Sequence, residues 1–349
     1  MNLDEIRGRI DKLDLELLSL LEQRMDLSLR SRKHKDITTD LGREETVLDR
    51  ARRTPLGLLG RGAAERIFRI LIQESKSLQE EVGQLVAFQG EHGAWGEVAT
   101  RALAPAAGSI PCLEFEDVFE GVESGAFDLG VVPVENSIEG MVTQVNTLLT
   151  RTDLKVSGEI KIPVQHCLLA PEGSRIENLR VIYSHPQALG QCRGFIEGKG
   201  FEARPFYDTA GAARMLSRER PRAAGAIASR LSGEIYGLEV LAEDISDHEE
   251  NSTRFLLLSR EAAESGDKCS IIFSVRHESG SLFDALRLFS ESHINLTRIA
   301  SMPLRSEPGN FSFFLDFEGS DRDPKVKSVL EQLQKSAIAF KMLGCYPKN

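Results

Sequence analysis

Thr253 stands where a polar cluster, Glu249-Glu250-Asn251-Ser252-Thr253, runs into a short apolar stretch, Phe255-Leu256-Leu257-Leu258. The apolar stretch reads as a buried strand. A hydroxyl then sits where a loop enters a sheet, the usual place for binding and catalytic groups in open α/β sheets. Arg254 follows, a residue that binds a carboxylate or orders the loop. Three segments of similar character precede it. Glu135-Asn136-Ser137 follows a strand ending Val132-Pro133-Val134, Ser184-His185-Pro186-Gln187 ends another, and Tyr207-Asp208-Thr209 opens a helix near Ala210. Asn136, Ser137 and Thr209 are neutral donors suited to orienting an anion. Plainer readings stand beside these. Thr253 is also read as part of a surface turn, Asp208 or Thr209 as a helix cap, and His185 and His166 as structural residues.

A second group lies near the N-terminus. Leu3, Ile6, Ile10, Leu13, Leu17, Leu20 and Leu27 follow a 3–4 spacing, the mark of a long amphipathic helix with a coiled-coil-like seam. Position 24 of that seam is Arg24. A charge there is costly unless it meets an anion, or unless its stem packs while its head reaches water. Lys35, about three turns on, returns to nearly the same face. Ser75 and Gln79 are i,i+4 neighbours at the end of a later helical face.

Three kinds of periodicity position these groups. Residues 1–83 read as three helices, with a first helix uninterrupted by Pro or Gly from Arg9 to Thr39, a break over Thr38-Thr39-Asp40-Leu41-Gly42, and a second helix from Arg43 to Arg53. Residues 84–262 alternate short apolar strands (85–88, 129–132, 180–183, 224–228 and 255–258) with helices, an α/β pattern. Residues 268–349 read β-α-β-β-α-β, the ferredoxin-like order. The glycines of Gln89-Gly90-Glu91-His92-Gly93-Ala94-Trp95-Gly96 follow the first strand and let backbone N–H groups face an anion. So long a first helix cannot cover its own seam and is expected to pair with a second copy.

The chain has 349 residues and a net charge of −10, which argues against a general nucleic-acid or anionic-membrane surface. Any anionic substrate must be held by a few placed Arg and Lys residues. No apolar run approaches the roughly 20 residues of a membrane span. The five cysteines (112, 167, 192, 269, 345) are scattered without a C-x-x-C, as reduced core thiols of a cytoplasmic protein.

The Asn136, His185, Asp208 and Thr253 segments, in this order and spacing, resemble the prephenate dehydratases. The N-terminal helices resemble the all-helical chorismate mutases, which are intertwined dimers, and the last segment resembles the ACT regulatory module. The resemblance implies a multidomain chain: a three-helix mutase domain, a two-lobed dehydratase domain like periplasmic binding proteins, and an α+β ACT domain. It implies conversion of chorismate to prephenate and of prephenate to phenylpyruvate, with L-phenylalanine as effector, no cofactor or metal, and a homodimer or dimer of dimers. By position, Arg24, Lys35, Glu44 and Gln79 match the mutase's catalytic groups, and Arg7, Asp40, Arg43 and Ser75 its substrate-binding groups, with Arg7 serving the partner's site. Thr253 takes the proton-delivering role, with Asn136, Ser137, Thr209 and Arg254 binding prephenate. Gly280, Ser281, Leu282, Asn295 and Leu296 match the phenylalanine-sensing turn and strand.

The chain departs from the family in three places. Lys35 to Arg43 is about one turn shorter than the commoner spacing, Trp95-Gly96 stands where Tyr or Phe is followed by Ser or Thr, and Ala300-Ser301-Met302-Pro303 replaces Glu-Ser-Arg-Pro. The loss of two charges beside the ligand strand implies weaker effector coupling. Alternatives remain: a dehydratase whose helices only dimerise, a preference for arogenate, and a non-catalytic amino-acid sensor.

Overall fold

The computed structural model describes residues 2–33, 40–54, 57–248, 250–303 and 311–348. Three helices come first: α1 (Leu3–Arg32), α2 (Leu41–Arg53) and α3 (Arg61–Glu81). Asn2 and Glu5 cap α1 reciprocally, each side chain bonded to the other's backbone N–H at 2.8 and 3.0 Å. α1 ends at Arg32, short of the expected Thr39, and α2 begins two residues before the expected Arg43, with Asp40 as its cap. Lys35 and the expected break at Thr38-Thr39 lie outside the described residues. The seam of α1 is uncovered within one chain: Leu3, Ile6, Ile10, Leu13, Leu17, Leu20 and Leu27 are all exposed. Its C-terminal end docks on the middle of the chain through Leu29, which packs with Leu85 and Ile110, and through Lys33, which pairs with Asp128.

The middle of the chain forms two lobes. Lobe one contains β1 (Leu85–Gln89), α4 (Trp95–Leu103), β2 (Gly108–Cys112), α5 (Phe115–Glu123), β3 (Leu129–Asn136), β4 (Gly140–Met141), α6 (Thr143–Arg151) and β5 (Lys155–Pro163). Lobe two contains β6 (Cys167–Pro171), β7 (Val181–Ser184), α7 (Pro186–Gln191), α8 (Arg193–Lys199), β8 (Glu202–Pro205), α9 (Thr209–Glu219), β9 (Ala224–Ala228), α10 (Arg230–Tyr236) and β10 (Leu238–Ala242). The chain then returns to lobe one as β11 (Ser252–Ser259), lying antiparallel between β3 and β5. The sheet orders are β2-β1-β3-β11-β5 and β10-β6-β9-β7-β8. The lobes are therefore joined by two crossings, one at 164–166 and one between β10 and β11, and His166 lies in the first of these.

The last domain holds β12 (Lys268–Ser274), α11 (Ser281–Glu291), β13 (Leu296–Pro303), β14 (Phe311–Glu318), α12 (Pro324–Ser336) and β15 (Ala339–Tyr346), in the sheet order β13-β14-β12-β15. The strands alternate by face. Ile271, Phe273, Leu315 and Phe317 pack under the two helices, while Ile272, Phe314, Leu343 and Tyr346 join the core of lobe one. The sheet lies so close to β5 that a Cβ on Gly344 would sit 2.0 Å from the carbonyl oxygen of Val156. All five cysteines are free and buried. Among the described residues no helix is long and apolar enough to cross a membrane.

Candidate functional site

Thr253 and Asn136 are register partners across β11 and β3 at the lobe junction. The Asn136 amide is oriented by its backbone surroundings: its Oδ1 accepts from the N–H groups of Ile138 and Glu139 at 2.9 and 3.0 Å. Its Nδ2 therefore faces the other way and donates to Thr253 Oγ1 at 2.9 Å and to Asn251 Oδ1 at 2.8 Å. Because Thr253 accepts this bond, its own hydroxyl proton remains available for donation. That is the electronic arrangement a proton-delivering hydroxyl requires.

Two expected members of this site are engaged elsewhere. Ser137 Oγ donates to the Glu250 carbonyl at 2.9 Å and accepts from the Ser252 N–H at 3.0 Å, so its hydroxyl closes the backbone instead of facing a ligand. Arg254, one residue past Thr253, projects from the opposite face of β11, as alternation along a strand demands. Its guanidinium is 2.6 Å from Glu159 and reaches Tyr346 OH at 3.1 Å and Asp316 of β14. Arg254 is thus a buried tie between lobe one and the last domain, and not a cleft residue.

The glycine loop also differs from expectation. Three of its N–H groups are satisfied internally: Gly90 by the Cys112 carbonyl, Gly93 by Glu97 and Ala94 by the Glu91 carbonyl, at 2.9, 2.7 and 3.0 Å. Its carbonyls face lobe two. Gly93 accepts from Ser229 and Ser232 Oγ at 2.5 and 2.9 Å, and His92 from Tyr236 OH at 2.9 Å. The loop is a latch between the lobes. Glu97 is buried beneath it, and its contact with His92 raises the His92 imidazole above its ordinary value despite burial.

Asp208, not Thr209, caps α9, accepting from the Gly211 N–H at 2.7 Å. Burial raises its carboxyl above the usual range, with Glu91 nearby adding to the effect. Thr209 follows half-buried in the first turn. His185 caps α7 through Nδ1 to the Gln187 N–H at 3.3 Å, and Ser184 Oγ donates to the Ile227 carbonyl at 2.6 Å, so both are structural. Sequence reasoning assigns no role to Gln191 or Asn251. The Asn251 amide donates to Gln191 Oε1 at 3.1 Å, and the same oxygen lies 3.0 Å from His166 Nε2. Asn251 is visible within the polar cluster before Thr253; nothing in the sequence ties it to Gln191.

In the helical domain, Arg24 of α1 donates to the Leu71 carbonyl at 3.0 Å and to Ser75 Oγ on α3. Gln79 lies one turn further along, donating to the Ser28 carbonyl and hydroxyl at 2.6 and 2.8 Å. Burial lowers the Arg24 guanidinium from its ordinary value. Glu44 pairs with Lys76 at 2.6 Å between α2 and α3. Asp40 is a helix cap for the Arg43 N–H at 2.9 Å, and Arg43 itself is exposed. Arg7 is exposed too, about 25 Å along the helix from Arg24. One chain therefore gathers Arg24, Ser75 and Gln79, and leaves Arg7 and Arg43 outside.

In the last domain, Gly280 takes φ +91° ahead of Ser281, the first residue of α11, and Leu282 packs into the domain core. Asn295 Nδ2 donates to Glu318 Oε2 at 3.0 Å, and Leu296 pairs with Phe317 and packs in the same core. The 11-residue helix α11 lies between Gly280 and Asn295, about 16 Å end to end, so one copy does not bring them together. Ala300 and Met302, expected at the edge of the effector pocket, instead pack into the core shared with lobe one. Beside them Arg298 Nε donates to Glu135 Oε2 at 2.7 Å, next to Asn136.

Residues 86–263 match the prephenate dehydratase family model, residues 6–80 the type II chorismate mutase model and residues 270–334 the ACT domain model. The chain is 35% identical to the bifunctional chorismate mutase/prephenate dehydratase of Pseudomonas aeruginosa, over 99% of this chain and 98% of that one. It is 41% identical to arogenate dehydratase/prephenate dehydratase 2, chloroplastic, of Arabidopsis thaliana, over 75% and 72% of the two chains. A solved prephenate dehydratase from Arthrobacter aurescens, in complex with L-Phe, superposes with a TM-score of 0.69 at 31% identity, covering 76% of this chain and 90% of that one.

Proposed function

Since the chain belongs to the bifunctional chorismate mutase/prephenate dehydratase family, we propose that it converts chorismate to prephenate in its helical domain and prephenate to phenylpyruvate between its two lobes. Both steps serve L-phenylalanine biosynthesis. The observation that carries the second step is the Asn136–Thr253 bond, which leaves the threonine proton free at the lobe junction.

The first reaction is pericyclic and needs no base or nucleophile. Its ether oxygen gains negative charge as the C–O bond breaks, and preorganised donors lower that barrier. The grouping of Arg24, Ser75 and Gln79 supports a site there. Arg7 lies too far along α1 to join it from the same chain, which supports its serving a second copy. In the second reaction the prephenate dianion takes up one proton and yields phenylpyruvate, CO2 and water. The C–C bond to the departing carboxylate supplies the electron pair that aromatises the ring as the C–O bond breaks. Thr253 donates to the departing oxygen, and because a threonine hydroxyl is a weak acid the net proton is relayed from solvent.

The uncovered α1 seam supports a homodimer or dimer of dimers, and the separation of Gly280 from Asn295 supports an L-phenylalanine site shared between two copies. Five buried free thiols support a reducing, cytoplasmic setting. The test supplies chorismate and follows prephenate and phenylpyruvate separately, with arogenate as a parallel substrate. Prephenate formed without phenylpyruvate, or neither product, overturns the corresponding half of the assignment.

A further inference from the structure

The amide chain behind Thr253 has a fixed polarity, and it runs to a histidine. Asn136 is oriented by two backbone N–H groups, so Asn251 must present Oδ1 to Asn136 and Nδ2 to Gln191 Oε1. An amide oxygen only accepts. His166 Nε2, 3.0 Å from that oxygen, must therefore carry the proton. His166 is 2% exposed, and burial lowers its imidazole below the ordinary value, which favours the neutral ring. Its Nδ1 is then a bare lone pair. Nδ1 is buried and has no hydrogen-bond partner among the described residues, and the same is true of the Trp95 indole Nε1. The two rings meet edge-on, 6.0 Å between centroids at 74°. An unmatched acceptor thus lies beside an unmatched donor.

This pair shares a face with Thr253. Thr253 is the register partner of Ile162 in β5, and directly opposed residues of antiparallel strands point the same way. Ile162 and the next residue on that face, Phe255, pack with Trp95. His166 follows Ile162 by four residues, at the first crossing between the lobes.

We propose that Trp95 Nε1–H and His166 Nδ1 form a specificity pair that holds a hydroxyl group beside Thr253, the ring hydroxyl of prephenate that departs as water. The chemistry selects this class of group. A carboxylate has no proton for Nδ1, and an ammonium has no lone pair for the indole N–H. A hydroxyl satisfies both, donating to His166 while accepting from Trp95, and keeps a second lone pair for Thr253. As the C–O bond lengthens, the electron pair stays on oxygen. The indole N–H then opposes a growing negative charge, and the water formed still donates to His166. The proposal rests on the dehydratase reading above.

The test uses the full chain and three variants: Trp95→Phe, which keeps an aromatic ring and removes only the N–H donor; His166→Leu; and His166→Gln, which keeps a donor for Gln191 and an acceptor oxygen. Trp95→Phe and His166→Leu should each lower kcat for prephenate by about 10- to 100-fold, the lower range for losing one partner of a developing oxyanion, with KM changed far less. Chorismate turnover by the same chain should hold and report folding. His166→Gln should recover most of the His166→Leu loss. Trp95→Phe combined with His166→Leu should lose little more than either alone, because both act on one oxygen. Unchanged kcat in Trp95→Phe and His166→Leu, no recovery in His166→Gln, or fully additive losses overturn the pair. A wild-type chain inactive on prephenate overturns the dehydratase reading, and the pair with it.

Discussion

Thr253 and Arg254 are neighbours in β11 that serve opposite sides of one sheet. The Thr253 hydroxyl accepts from Asn136 at 2.9 Å at the lobe junction, while the Arg254 guanidinium is buried against Glu159 at 2.6 Å and Asp316 of the last domain. On β3 the same division recurs: Asn136 turns to Thr253 and Glu135 binds Arg298 at 2.7 Å. Thr253 and Asn136 each therefore neighbour a residue ion-paired to the sheet of the last domain.

Replacing Thr253 by Ala or Val should lower prephenate dehydration by about 100-fold or more, the upper range for a positioned acid, and Thr253→Ser should keep much of it. Initial rates on supplied prephenate decide this. Full activity in Thr253→Val, which preserves shape, would reduce the residue to packing.

Arg254→Met should destabilise the chain by about 3 kcal/mol, since removing one partner of a buried ion pair leaves Asp316 without this counter-charge, while Glu159 keeps Lys268 at 2.6 Å. Denaturant unfolding measures the loss. KM for prephenate should change by less than about threefold, far below the effect of losing a charge-assisted contact. A KM rise much larger than that would return Arg254 to the substrate.

Arg24→Ala should lower chorismate turnover by about 100-fold or more while dehydration of supplied prephenate continues. Equal loss of both activities would point to folding instead.

Gly93→Ala tests the latch between the lobes. A Cβ there would lie 2.8 Å from Ser232 Cα, and the backbone φ is +88°, so the loop cannot keep its present seat. Dehydratase activity should fall at least tenfold, the scale of about 1.4 kcal/mol of lost positioning, with mutase activity kept. Wild-type rates would show that the latch is dispensable.

L-phenylalanine should bind, by calorimetric titration, and inhibit the dehydratase. Arg298→Leu, which removes the tie to Glu135, should still bind phenylalanine but be inhibited less, because coupling requires a contact that differs between the two states. Unaltered inhibition would exclude this ion pair from the transmission. With Ala300 and Met302 packed toward lobe one, the departure from the family's charged pair bears on the domain interface and not on a pocket edge.

The order of three domains was legible because each type of packing leaves its own period in the sequence: 3–4 along α1, short apolar runs in the lobes, and the β-α-β-β-α-β alternation at the end. Thr253 and Asn136 were legible because each sits where a polar segment meets a buried strand. Strands such as β5 and β8 were not, since Lys155, Glu159 and Lys161, or Glu202 and Arg204, interrupt the apolar pattern. Nor was the side of the sheet taken by Arg254. Its buried position is set by Glu159 and Asp316, 95 and 62 residues away in sequence. The chain from Thr253 through Asn136, Asn251 and Gln191 to His166 likewise joins residues separated by as many as 117 positions. Local composition determines which segments become strands and helices. Which polar atoms then meet is decided by tertiary packing, because a hydrogen bond depends on distance in space and sequence spacing carries no record of it.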